Sequence, residues 1–306
     1  MNLSDEYIYA LKQLDGFDKG NILRAIELAN NDIVETLGDF IDFINFNIEN
    51  NKFSDITKPF NYETIKKAVD KAIKNKENIV HYLNTADGWF PKQLPEDLMK
   101  ESSLLKYKGN LEILCRKSVL ITGSQEITNN AKLASKYIGK VLASNGYNIL
   151  SSFSNECEQN AIKGCVEADG VSTFFLAHDI EHLTTNEKDV IQNNFELVRT
   201  IIMSADDNIL PTIKSVDNAY LYVTALADCM IIPQINESDY FMDYVEKYLE
   251  SDKPVFLIKY KTKNNKEYDC IKTLESLGVM YLSSNTVLNQ IKNTVGEVFV
   301  NTSGVT

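Results

Sequence analysis

The residue types able to do chemistry fall in three short stretches. His178-Asp179-Ile180-Glu181-His182 sets two imidazoles at i, i+4 with carboxylates between them. On a helix that spacing would let both rings share a divalent metal. The segment directly follows the apolar run Phe174-Phe175-Leu176, which reads as a strand. It is therefore expected to be a polar loop at the carboxyl edge of a sheet, and no metal is assigned to it. Cys157 lies between Glu156 and Glu158. A thiolate nucleophile needs a base and a positive setting, and carboxylates push its pKa the other way, so no catalytic thiol is expected. Thr122-Gly123-Ser124 follows the apolar run Val119-Leu120-Ile121. Gly123 allows a tight turn, and strand-to-helix loops of this kind hold phosphate-bearing ligands. A dinucleotide fingerprint needs three glycines at G-x-G-x-x-G, and this loop has one.

Aromatic side chains are plentiful at Tyr220, Tyr222, Tyr240, Phe241, Tyr244 and Tyr248. Bases can stack on such rings, but helical spacing favours a core or dimer-interface role. The acidic run Glu237, Asp239, Asp243, Glu246 and Glu250 reads as a solvated helix face, or alternatively as a dock for a basic partner.

These residues need elements to position them. Lys117 to Ser152 reads as a βαβ unit. A buried strand ends at Gly123, in a loop that either holds a phosphate or is a structural glycine turn with Ser124 capping the following segment. Ala131, Leu133, Ala134, Tyr137, Ile138, Val141 and Leu142 recur at helical spacing. Asn145-Gly146 stops that helix before the strand Tyr147-Asn148-Ile149-Leu150. Upstream, stripes at Tyr7–Leu14 and Ile22–Leu28 flank an Asp-rich, glycine-bounded turn, and further helices are expected at Ile33–Ile44 and Tyr62–Lys74. Ile79–Leu83 reads as a strand. Downstream the pattern gives strand Ser172–Leu176, a helical Leu197–Met203 region, helix Ala219–Leu226 and strand Cys229–Ile232. Helix Tyr240–Leu249, strand Val255–Ile258, helix Cys270–Leu277, strand Val279–Leu282 and one last helix follow. Alternating strands and helices imply a doubly wound, mainly parallel sheet of Rossmann-like α/β class, here preceded by a small all-helical domain. The expected division is 1–80 helical (helix-hairpin-helix or SAM-like), 81–110 connector, 111–285 Rossmann-like, and 286–306 C-terminal helix and tail.

At 306 residues and 44% hydrophobic, the chain can bury one large core and a small extra domain. No uncharged apolar run approaches the length of a membrane span, and the acidic, amphipathic start MNLSDEYIYALKQ is unlike a signal peptide. Five cysteines without a C-x-x-C pair fit reduced thiols, so a cytoplasmic protein is expected. A net charge of −12 excludes a surface attractive to DNA everywhere, though not one local basic groove.

Lys106-Tyr107-Lys108-Gly109-Asn110, then Lys117-Ser118-Val119, then Thr122-Gly123-Ser124 resemble the Y-x-K-G-N … K-S-V-A-I-V-G-S-R pattern of the DprA/Smf DNA-processing family. Phe90-Pro91 followed by Leu94 resembles that family's Y-P-x-x-L, and Leu14-Asp15-Gly16-Phe17 its degenerate helix-hairpin-helix lead-in. The resemblance runs from about residue 5 to about residue 282. It implies a protein that is no catalyst and uses no cofactor. It also implies single-stranded DNA held in a pocket on a Rossmann-like domain, commonly in a homodimer, and help in loading a RecA-type recombinase. Too few residues follow Leu282 for the winged-helix-like domain of some members, so none is expected. The residues implied to line the groove are Lys106, Lys108, Gly123, Ser124, Gln125, Ser151, Ser152, Asn155 and Lys163.

The departures fall on that pocket. The family's G-S-R corresponds to Gly123-Ser124-Gln125, with a neutral amide in place of the arginine. Its S-G-x-A-x-G-I-D-x-x-A-H aligns with Ser151 to Ile162, where Glu156 replaces the second glycine and Ile162 the histidine; Lys163-Gly164 matches the R-G that often follows. The family's R-N-R falls near Ala219-Tyr220-Leu221, and its S-G-S/T helix start near Asp239-Tyr240-Phe241. A carboxylate close to a phosphate costs of order 4 kcal/mol at an effective dielectric near 20, and Gln cannot replace a bidentate Arg. A weakened DNA pocket is the expectation. The alternatives are a pocket for a nucleotide-derived small ligand, with Asn155 and Glu156 reading a ribose or base edge, and a regulatory protein-binding scaffold.

Overall fold

The computed structural model describes residues 3–30, 32–74, 80–85, 87–101, 104–192, 199–205, 208–236, 239–258, 265–283 and 286–296. Ile79, Leu197, Glu237 and the tail 297–306 lie outside them. The chain forms two compact units, Met1–Phe90 with Ser102–Lys108, and Pro91–Glu101 with Gly109–Thr306.

The first unit carries α1 (Asp5–Leu11), α2 (Lys19–Ala29), α3 (Leu37–Glu49) and α4 (Tyr62–Lys74), followed by the antiparallel pair β1 (His81–Asn84) and β2 (Leu104–Gly109), in which His81 faces Tyr107. On α4, Ile65, Ala68, Val69 and Ala72 are buried, the i, i+3, i+4, i+7 stripe of an amphipathic helix. Asp18 caps α2 by accepting from the Asn21 N–H. The helix expected at Ile33–Ile44 instead begins at Leu37. Thr36 and Asp39 form a capping box there, satisfying two otherwise orphaned donors, and Ile33 stays exposed.

The second unit begins with α5 (Glu96–Glu101) and then alternates strand and helix. Its elements run β3 (Ser118–Ile121), α6 (Asn129–Ala143), β4 (Asn148–Ser151), α7 (Glu156–Glu167), β5 (Val171–Leu176) and the single turn α8 (Thr185–Glu187). They continue as β6 (Thr200–Ser204), α9 (Ile213–Leu226), β7 (Cys229–Ile232), α10 (Asp239–Glu250), β8 (Val255–Leu257), α11 (Asn265–Ser276), β9 (Met280–Tyr281) and α12 (Val287–Val295). Among the described residues its seven strands are all parallel, in the order β6-β5-β4-β3-β7-β8-β9. The order reverses between β3 and β7, which places the topological switch point of a doubly wound sheet there. β3, β4, β5, β6 and β7 are buried at every residue, as parallel strands covered on both faces must be. α6 and α7 pack together closely: a Cβ added at Gly164 would stand 1.9 Å from the Lys136 carbonyl oxygen, so only glycine permits that approach.

Two expectations are corrected. Residues 200–203, expected within a helical Leu197–Met203 region, belong to strand β6 (Thr200–Ser204), paired to β5 from Ser172↔Thr200 to Leu176↔Ser204. Ser124 does not cap the helix after β3. Thr128 does, accepting from the Ala131 N–H, and Ser124 lies in the preceding loop.

Candidate functional site

In open doubly wound sheets ligands bind outside the carboxyl ends of the strands near the switch point. Three loops meet that description here, those following β3, β4 and β7. The β4 loop, Ser152 to Asn155, hands the chain to α7, whose N-cap Asn155 accepts from the Glu158 N–H. That hydrogen bond aims the Glu158 side chain back at the loop. The carboxylate is fully buried. Its Oε1 accepts from Thr122 Oγ1 at 2.9 Å, Asn155 Nδ2 at 2.7 Å and Ser154 Oγ at 3.4 Å. Its Oε2 accepts from the Ser152 N–H at 2.7 Å, Ser152 Oγ at 2.9 Å and Ser151 Oγ at 3.1 Å. Thr122 Oγ1 also accepts from Asn155 Nδ2 and from the buried Tyr220 hydroxyl. Burial raises the Tyr220 pKa well above the usual phenol value, which keeps the hydroxyl a donor.

The loops after β3 and β7 are stitched to each other. The Ser124 N–H donates to the Gln234 carbonyl at 3.2 Å, and the Asn236 N–H donates to Ser124 Oγ at 2.6 Å. Gln234 Oε1 accepts from the Thr128 N–H and hydroxyl, and Asn236 Nδ2 donates to the Glu126 carbonyl. Gly123 is required by this closeness. A Cβ on it would sit 2.4 Å from the Gln234 carbonyl oxygen and 3.0 Å from Cys157 Sγ.

The residues singled out from sequence thus divide. Gly123, Ser124, Ser152 and Asn155 lie in these loops and Ser151 ends β4; all are buried, and the polar groups of Ser124, Ser151, Ser152 and Asn155 are engaged with Glu158, Gln234 or Asn236. Gln125, beside them, is exposed, and so is Lys163 on α7. Lys106, buried, and Lys108, half-buried, are on β2 in the first unit. Glu156 is paired with Lys132 at 2.6 Å and accepts from the Ile127 N–H, and these contacts hold its carboxyl below the ordinary value. Burial lifts the Cys157 thiol to about 12.

His178 and His182 do not act as a pair. His178 is buried, its Nε2 3.0 Å from both Glu187 carboxylate oxygens and its Nδ1 3.0 Å from the Asp179 carbonyl oxygen. Both ring nitrogens face acceptors, an arrangement that favours the doubly protonated ring. The hydrogen bond to Glu187 raises the His178 pKa against the opposing effect of burial. Burial would raise Glu187, but His178 and the Thr184 N–H and hydroxyl hold it below its usual value. His182 is exposed. Among the described residues no group of three or more His, Cys, Asp and Glu side chains is placed to hold a metal.

Sequence reasoning missed Glu158 as the hub of the site. Its one signal was its place opposite the aspartate of the aligned family pattern, in a stretch with three serines upstream. Gln234 and Asn236 gave no signal, because their role depends on two loops more than a hundred residues apart.

Fold and loops together define a Rossmann-like α/β protein whose loops gather at the switch point. The chain belongs to the DNA recombination-mediator protein A family, whose model matches residues 81–292, and its role therefore lies in DNA processing. Two solved structures share the fold. DNA processing protein A (DprA) from Streptococcus pneumoniae superposes with a TM-score of 0.60 at 16% identity, covering 95% of this chain and 98% of that one. The Helicobacter pylori DprA, solved for its single-stranded DNA binding mode, gives 0.57 at 21% identity, covering 70% and 97%. A search of curated protein sequences found no match. Among the described residues no helix is long and apolar enough to cross a membrane.

Proposed function

We propose that this chain binds single-stranded DNA and serves recombination without catalysing a reaction. The observation that carries the reading is the family match over residues 81–292. The single-stranded DNA bound by the Helicobacter pylori relative gives the ligand class. On the second unit, phosphate contacts fall to the exposed Lys163, with the exposed Gln125 donating from the β3 loop. Gly123, Ser124, Ser151, Ser152 and Asn155 shape the loops from beneath through the Glu158 and Gln234 networks. The absence of catalysis is supported by the character of the buried groups: the Cys157 thiol is raised to about 12, and Glu158 is saturated by donors. A RecA-type recombinase and a second copy of this chain are the protein partners this role calls for, and the cytoplasm is its compartment. The test is binding of labelled oligo-dT by fluorescence anisotropy, with a duplex of equal length beside it. Binding of the single strand in preference to the duplex is expected; equal or no binding overturns the reading.

A further inference from the structure

Among the described residues, five that are not glycine hold a positive φ: Asn51, Asp55, Phe153, Asp169 and Asp252. Four are Asn or Asp, whose short polar side chains tolerate the left-handed region. Phe153, at φ 62°, is the exception. A bulky residue there is strained and persists only where its surroundings over-determine it. The surroundings do so here. The Phe153 N–H donates to Ser151 Oγ at 2.9 Å, the Phe153 carbonyl accepts from Gln159 Nε2 at 3.4 Å, and Ser151 and Ser152 are both tied to Glu158. The chain therefore keeps an aromatic ring where glycine would fit without strain.

The position of that ring is informative. Phe153 stands two residues beyond the end of β4 and two before the cap of α7, in the loop at the carboxyl edge of the sheet. The residue is half-buried, and its ring is tilted 55° to the fully buried Phe174 ring with centroids 6.1 Å apart. Around it Ser151, Ser152, Ser154 and Asn155 all turn their polar groups inward to Glu158. The loop thus presents a ring rather than hydrogen-bond donors. A phosphate finds little to hold there, whereas an unpaired nucleobase finds a flat apolar surface on which any base can stack.

We infer that Phe153 is a stacking platform for one unpaired base of single-stranded DNA, its strained backbone being retained to hold the ring outward. This rests on the single-stranded DNA reading above. The test compares oligo-dT with an abasic phosphodiester oligomer of equal length, on the wild type and on Phe153→Leu and Phe153→Trp variants. The wild type is expected to prefer oligo-dT. Phe153→Leu is expected to lose about 5- to 150-fold on oligo-dT, the factor one base stack is worth, with little change on the abasic strand. Phe153→Trp is expected to retain binding, and in a Trp89→Phe background its emission is expected to change with oligo-dT and not with the abasic strand. A Phe153→Leu variant that binds oligo-dT like the wild type, or a tryptophan blind to the bases, overturns the inference while leaving the DNA reading intact. A wild type that binds neither strand overturns both.

Discussion

Glu158 is a fully buried carboxylate that accepts from six donors on the β3 loop, the end of β4, the β4 loop and the α7 cap. Removing it would leave buried hydroxyls and an amide without an acceptor, each costing about 1–3 kcal/mol. Glu158→Ala is expected to lower the free energy of unfolding by at least about 3 kcal/mol in urea titration, and Glu158→Gln, which keeps one acceptor oxygen, by less. His178 and Glu187 give a second prediction, in pH. The folded His178 pKa is raised, so its contribution is full below about pH 6.5 and fades as pH climbs through the folded value. The folded Glu187 pKa is lowered, so its contribution is full above about pH 4.3 and fades as pH falls. The stability gap between wild type and His178→Gln is therefore expected to peak, at about 3 kcal/mol, between roughly pH 4.5 and 6.5 and to narrow toward pH 9. Neither role was legible in sequence. Glu158 stood out only as an acidic neighbour of Cys157, and His178 as half of a spaced pair with His182. What each touches is set by a loop folding back on itself, and residue spacing does not encode that.

Elements were legible where the pattern is local. β7 matches its expected span, Cys229–Ile232, and α4 its span Tyr62–Lys74, because a short apolar run and a 3.6-residue stripe are each complete within one segment. β6 was misread because Thr200-Ile201-Ile202-Met203 is uniformly apolar after its threonine, and a fully buried strand and a buried helix look alike by periodicity. The β3 and β7 loops lie at the next level up, since their stitching joins Ser124 to Gln234 and Asn236. That stitching occupies the Ser124 amide, the backbone donor a nucleotide phosphate would use after β3, and sets the Asn236 N–H on the Ser124 hydroxyl oxygen. Millimolar nucleoside mono-, di- or triphosphate is thus expected to leave the melting temperature unchanged; a rise of several degrees would show a working nucleotide pocket there.

The whole molecule is acidic, with a net charge of −12, and several of its lysines are already paired: Lys132 with Glu156, and Lys136 and Lys140 with Glu167. Non-specific attraction of DNA to such a body is weak, so the proposed binding would rest on a few local phosphate contacts and on base stacking. The family pattern made the class of protein legible through Lys106-Tyr107-Lys108-Gly109-Asn110 and Thr122-Gly123-Ser124. It did not reveal that the loop polar groups are spent internally, because that depends on three-dimensional partners. The most direct measurement is the affinity for labelled oligo-dT from low to physiological salt. On the proposed reading, about three phosphate contacts predict a slope of log K against log salt of about −2, with binding persisting at low salt. No binding at low salt, or binding with no salt dependence, would contradict a DNA-handling role for this chain.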